Sequence, residues 1–193
     1  MDAVRYYLGL IVLLTGIPAL VFWLLAHGMI RTWRRLGAAL SYTLLFILMA
    51  ALGFAVYLVR APLMASDFGT NRWLFAPALV FYAASAVIEI QTRKQLALGV
   101  LVGLPELAPS RDNQKLLHEG IYARLRHPRY LSFILGLLGV TLFVNNLALY
   151  LFYPIFVLLV YVVTVLEERE LLDRFGAAYA EYRSRVPRLM PRP

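Results

Sequence analysis

Five apolar runs, at 8–26, 36–59, 73–90, 130–144 and 147–166, constrain what this chain can fold into more than any other feature. Inside hydrocarbon every backbone N–H and C=O must find a partner within the protein, so a crossing segment is a helix or a barrel strand. A crossing helix needs roughly 20 residues, within a range of about 17–25. The first, second, third and fifth runs meet that length, and the fourth, at 15 residues, falls short. It reads as one arm of a tight helical hairpin turning at Asn145 and Asn146, whose side chains suit exposed helix ends. The first run has no basic flank beyond Arg5 and no convincing A-x-A site, so it is read as a span and not a cleavable leader. The expected fold is all-α: a polytopic membrane protein with about five transmembrane helices, a C-terminal helical hairpin and a cytoplasmic amphipathic helix.

Composition agrees with this reading. Hydrophobic residues make up 61% of the chain and charged residues 16%, against about 45–50% and about 25% in soluble domains. Net charge is +8, and its placement decides between nucleic acid and membrane as the cause. Of 19 Lys and Arg residues, all but Arg5, Arg60 and Arg72 fall in the segments after runs one, three and five. That split follows the positive-inside rule. It predicts an N-terminus outside, a C-terminus in the cytoplasm and residence in the cell membrane, and it leaves no reason to invoke nucleic acid. A four-crossing arrangement, with the last hairpin not spanning, would keep the same sides. The chain has no cysteine, which removes disulfides and thiolate metal sites. Three scattered histidines, His27, His118 and His127, give a structural metal little to bind.

Residues 1–90 thus form N-terminal transmembrane helices, and the polar material lies in 91–193, split between a loop (91–129) and a tail (167–193). The hairpin between them returns the chain to the same face, so one site can draw on both. In the loop, 124-RLRHPRY-130 concentrates cations at the mouth of a span. Arginines there anchor topology, Pro128 suits a first helical turn and Tyr130 an interface. Topology has no need of His127. In the tail, Glu167 and Glu168 directly follow the fifth run, where a carboxylate is costly unless solvated or paired. They would also oppose the helix dipole if the helix stopped there; if it runs on, that penalty vanishes. Leu172, Phe175, Tyr179, Tyr182 and Val186 recur at helical spacing, predicting an amphipathic helix over 170–186 that Pro187 ends. Glu89 is expected to pair with Arg93 one turn on, and His27 to sit at the membrane interface.

Taken in order, GIYARLRHPRY, an apolar hairpin and EEREL-x3-FG-x2-Y-x2-YRSRVPRLMP resemble the C-terminal region of integral membrane methyltransferases. These are the isoprenylcysteine carboxyl methyltransferase and phospholipid N-methyltransferase type, and the resemblance covers roughly 114–191. It implies S-adenosylmethionine as cofactor and a lipophilic or lipid-linked acceptor met at the membrane surface. Residue by residue it points to Gln114, Lys115, Leu116, Leu117, Tyr122, His127, Pro128, Tyr130, Glu167 and Glu168 for the cofactor. Arg126 and His127 would hold its carboxylate, and Glu167 or Glu168 its ammonium or ribose. Tyr122 and Tyr130 would offer aromatic faces. Arg126 and Glu167 are the candidate catalytic residues. Methyl transfer is an in-line displacement, so a carboxylate or thiolate acceptor needs alignment and dryness. An amine needs a base, for which Glu167, Glu168 or Glu89 would serve.

The sequence departs from the family pattern twice. Ser132 replaces a glycine, and 161-YVVTVL-166 lacks the arginine that prenylcysteine enzymes place before the acidic pair to hold a substrate carboxylate. The acceptor stays open between a lipid amine, a thiol and a small hydrophobic acid. Two other classes stand beside this one. A sterol-type membrane reductase would bind NADPH through Arg93, Lys94, Arg111 and Arg129, and a non-enzymatic membrane protein would keep only the fold.

Overall fold

A computed structural model describes residues 1–95 and 116–190 of the chain. Eight helices are described: α1 (Ala3–Gly28), α2 (Ile30–Leu36), α3 (Ala38–Leu58), α4 (Arg60–Ala65), α5 (Arg72–Arg93), α6 (Pro128–Val144), α7 (Leu147–Phe175) and α8 (Ala177–Arg185). A single 3₁₀ turn, Gly120–Ala123, precedes α6. Four of them, α1, α3, α5 and α7, are long and apolar enough to cross a membrane. The protein is an integral membrane protein of all-α fold.

The short fourth run becomes α6, with Pro128 at its first position and Asn145 in the left-handed region (φ 52°) at its end. Asn146 then accepts the Ala148 N–H through its side chain and caps α7. The two asparagines therefore make the expected turn, one by tolerating αL and one by capping. α6 packs most extensively on α5. The reason is Gly136 and Gly139: a Cβ on Gly139 would lie 2.8 Å from the Ala78 carbonyl oxygen, and one on Gly136 2.8 Å from Ser85 Oγ. Small residues let helix backbones approach where lipid offers no hydrophobic drive. The larger core cluster includes Leu13, Leu20, Met64, Leu137, Val144, Leu149 and Val160, and a smaller one gathers Trp33 and Leu45.

Polar contacts gather at two opposite ends of this bundle. At one end Arg5 of α1, only 3% exposed, pairs with Asp67, donates to the Val144 carbonyl (3.0 Å) and to Thr70 Oγ1 (3.2 Å). Asn145 Nδ2 bonds the Gly69 carbonyl, and the Phe68 and Leu147 N–H groups bond the Asn145 and Ser66 carbonyls. The opposite end carries His27, Glu89, His127 and Glu167–Glu170. α6 begins at that second end and finishes at the first, so the hairpin traverses the bundle and the five-helix arrangement holds.

α7 settles the placement of the acidic pair. Its 29 residues, at about 1.5 Å each, extend well past a hydrocarbon layer of roughly 30 Å. Glu167 is the twenty-first residue of α7, so the carboxylates begin where the apolar slab ends and the helix runs on. The tail differs from the expected single helix over 170–186. Leu172 and Phe175 belong to α7, Gly176 breaks the helix at φ 56°, and α8 turns Tyr179 and Tyr182 into the protein. A side chain at that φ would be strained, so the glycine fixes the break.

Candidate active site

The tail is strapped to the loop by backbone bonds. The Arg126 N–H donates to the Pro187 carbonyl (3.0 Å) and the His127 N–H to the Arg188 carbonyl (3.1 Å). The Tyr182 hydroxyl donates to the Tyr122 carbonyl at 2.7 Å. Burial pushes the Tyr182 hydroxyl up to about 12, with Arg126 opposing and Glu168 adding, so it stays a neutral donor. This strap completes a set of three cationic side chains on one carboxylate. Glu168, 2% exposed, receives Arg188 Nε at 3.0 Å and Nη2 at 2.6 Å, His127 Nε2 at 3.1 Å and Arg126 Nη1 at 3.1 Å. The Arg188 contact is bidentate, the strong form of such a pair. Arg126 is close but misaligned, an ion pair and not a directed hydrogen bond.

His127 bridges the acidic pair, with Nδ1 3.5 Å from Glu167 Oε2 and Nε2 on Glu168. Burial would lower its pKa, but hydrogen bonds and negative charge from Glu167 and Glu168 prevail and raise it. Protonated, the ring donates from both nitrogens. Tyr130 lies against it, ring centroids 5.7 Å apart. Pro128 is buried and opens α6, which aims His127 from the residue before the helix. Tyr122 sits in the 3₁₀ turn, where burial raises its hydroxyl and Glu167 adds to the effect. Leu116 and Leu117 are half-buried just upstream of that turn. Gln114 and Lys115 lie outside the described residues.

Arg126, His127, Tyr130, Glu167 and Glu168 thus converge. Arg188 was not singled out from the sequence, although it follows the RVP triplet directly. His27, expected at an interface, is buried: its Nδ1 is 3.5 Å from Glu170 Oε2, and Arg34 Nη2 lies 2.8 Å from Glu170 Oε1. Trp23 stacks on the His27 ring at 5.5 Å. Glu89 pairs with Arg93 at 2.7 Å as expected, and its other oxygen accepts from Ser132 Oγ at 3.0 Å.

Several buried polar atoms in this knot make no well-aligned hydrogen bond: Arg126 Nε and the Tyr179 hydroxyl, Arg126 Nη1, which is only ion-paired with Glu168, and Glu167 Oε2, whose contact with His127 Nδ1 is long at 3.5 Å. Buried polar groups are almost always satisfied, and exceptions mark ligand or water positions. Donors and an acceptor left over within one cluster suit a zwitterionic ligand. Beside the knot, α1, α5, α6 and α7 enclose an apolar cleft of about 390 Å³ within the slab, with Ser132 and Phe133 at its polar end.

Fold and site together define a membrane protein that joins an apolar cleft to a charged, aqueous-side knot. The sequence pattern of the phospholipid methyltransferase family matches residues 74–178, just over half the chain, and the protein belongs to that family. It is 32% identical over 157 residues to methanethiol S-methyltransferase 1 of Bradyrhizobium diazoefficiens, covering 80% of this chain and 52% of that protein. It is also 32% identical over 87 residues to the protein-S-isoprenylcysteine O-methyltransferase of Schizosaccharomyces pombe, covering 44% of this chain and 37% of that one. The chain therefore spans about half or less of the curated relatives it matches. No solved structure matches significantly, and none of these comparisons favours the reductase alternative.

Proposed function

We propose that the protein is an S-adenosylmethionine-dependent methyltransferase acting on a lipophilic or membrane-embedded acceptor, with the knot as donor site, in 91–193, facing the cytoplasm. The observation that carries the reading is the set of poorly satisfied buried atoms on Arg126, Glu167 and Tyr179, beside an apolar cleft and within the family match. Both relatives are named as methyltransferases, one of a thiol and one of a prenylated protein, and the positive-inside split supports the orientation.

The donor would supply an electrophilic methyl on a sulfonium. Arg126 would take its carboxylate, Glu167 its ammonium or a ribose hydroxyl, and Tyr122 and Tyr130 its adenine or sulfonium. His127, locked between two carboxylates, orients them. The strap of Pro187 and Arg188 closes the knot and keeps water away, where alignment supplies much of the rate. Leu116 and Leu117, with Gln114 and Lys115, complete the assigned donor site.

Calorimetry on detergent-purified protein tests this. Wild type is expected to bind S-adenosylmethionine and its demethylated product in the micromolar range, and His127→Ala and Glu167→Ala each to weaken binding at least about tenfold. A folded, monodisperse wild type that binds neither ligand would sink the reading.

A further inference from the structure

His27 is a buried titratable residue that the donor site as described does not use. It lies in the last turn of α1, outside the 74–178 stretch that carries the family pattern. Its side chain is only 1% exposed, although it stands at the end of a span where water is near. Aromatic and charged neighbours hold it there. Nδ1 faces Glu170 Oε2 at 3.5 Å, Trp23 stacks on the ring with planes 19° apart, and the Arg129 guanidinium lies over Trp23 at 5.8 Å.

These contacts press the end of α1 against one short stretch of α7. A Cβ on Gly28 would lie 3.9 Å from Leu166 Cδ1, so the helices meet at Leu166 as well as at Glu170. Leu166 and Glu170 are four residues apart and share one face of α7. Glu167 stands at the edge of that face, within electrostatic reach of His27. From the same side Arg34 of α2 contacts Glu170 at 2.8 Å, and Arg174 lies 3.7 Å from it along α7.

The carboxylates of α7 thus divide by what holds them. Glu168 is clamped by Arg188, Arg126 and His127 from the tail and the loop. Glu167 keeps 25% exposure and meets His127 Nδ1 only at 3.5 Å, so the rotation of α7 aims it. We infer that His27 is a positioning residue of the donor site: it braces α7 through Glu170 so that Glu167 meets the donor's ammonium. This role rests on the methyltransferase reading and gives the N-terminal helix a part in it. Without the brace the ammonium loses a charge-assisted hydrogen bond. The Arg126 end of the site is spared, because Glu168 stays clamped.

Calorimetry on the detergent-purified full chain tests this with S-adenosylhomocysteine, its analogue lacking the amino group and its analogue lacking the carboxyl group. Wild type is expected to bind less tightly once the amino group is removed. His27→Leu, which keeps bulk without a polar atom, should weaken S-adenosylhomocysteine and the decarboxylated analogue about tenfold, and the deaminated analogue by less than about twofold. His27→Gln, which still offers an N–H to Glu170, should recover most of the loss. Glu170→Gln should reproduce the selective loss, and joining it to His27→Leu should add little, because both break one contact. Where His27→Leu does not fold, Glu170→Gln carries the same test. Equal weakening of both analogues would reveal a merely structural role and overturn the inference. Unchanged binding by the folded variants, or a fully additive double variant, would overturn it too. Each of those results leaves the methyltransferase reading standing, whereas a folded wild type that binds none of the three ligands sinks both.

Discussion

His127 is held by two carboxylates, and the sign of its pH effect follows from that. A free histidine titrates near 6.5, and here the partners raise the value despite burial. The folded protein therefore keeps a proton that the unfolded chain releases. The stabilisation is complete below about pH 6.5 and is lost as pH rises through the raised value. In detergent, Tm should fall over that window and His127→Gln should flatten the slope; a wild-type Tm that climbs there contradicts the assignment. Arg5 gives a second residue-scale test. Its guanidinium is buried against Asp67, and the amino group of Met1 lies 3.3 Å from the same carboxylate. Arg5→Ala should destabilise by about 3–5 kcal/mol, while Arg5→Met with Asp67→Leu should recover much of it. A thermal shift series of the single and double variants reads this directly. Neither pairing was legible locally. RLRHPRY and the acidic pair stand out because their residue types are unusual at a membrane edge. Arg5–Asp67, His27–Glu170 and Arg188–Glu168 join residues far apart in the chain, and no local pattern encodes such a meeting.

At the scale of helices, the small residues of α6 set how closely it can lie on α5. Gly139→Val would push a side chain into the Ala78 carbonyl and the Tyr82 backbone, which cannot swing aside. Loss of Tm by several degrees, or loss of monodisperse protein, is expected; a neutral Gly139→Val would mean the two helices do not meet there. The strap around α8 should be softer. Tyr182→Phe removes one hydrogen bond worth about 1 kcal/mol, so donor affinity should drop several-fold while the fold persists, as calorimetry beside circular dichroism would read. Helix existence was legible because length and apolarity leave little choice in hydrocarbon. The end of α7 was not. Continuation through Glu167 to Phe175 and the break at Gly176 depend on where carboxylates find partners and on one positive φ, while the apolar periodicity of the tail carries straight across both.

For the whole molecule, the two polar ends of the bundle must face opposite sides of the membrane. The absence of cysteine makes this measurable without a background. A single cysteine at Ser184, on α8, should react with a membrane-impermeant maleimide only from the cytoplasmic side, and one at Ser66 only from outside. The reverse pattern would invert the proposed orientation and leave the bundle itself intact. The charge split predicted that orientation from sequence, yet it could not say that α1 contributes to the cleft, because the N-terminal runs carry no motif of their own.

The strap also bears on how the protein is made. Arg126 and His127 leave the ribosome about 60 residues before the Pro187 and Arg188 carbonyls that hold them, and Glu168 enters the slab's edge before its bidentate partner exists. Every helix can thus be handed to the membrane while the proposed donor site is still open and Glu168 still lacks Arg188. Methyl-donor binding, and any stabilisation it brings, would then begin only after the last segment has emerged, as a late step in biogenesis that membrane insertion itself does not report.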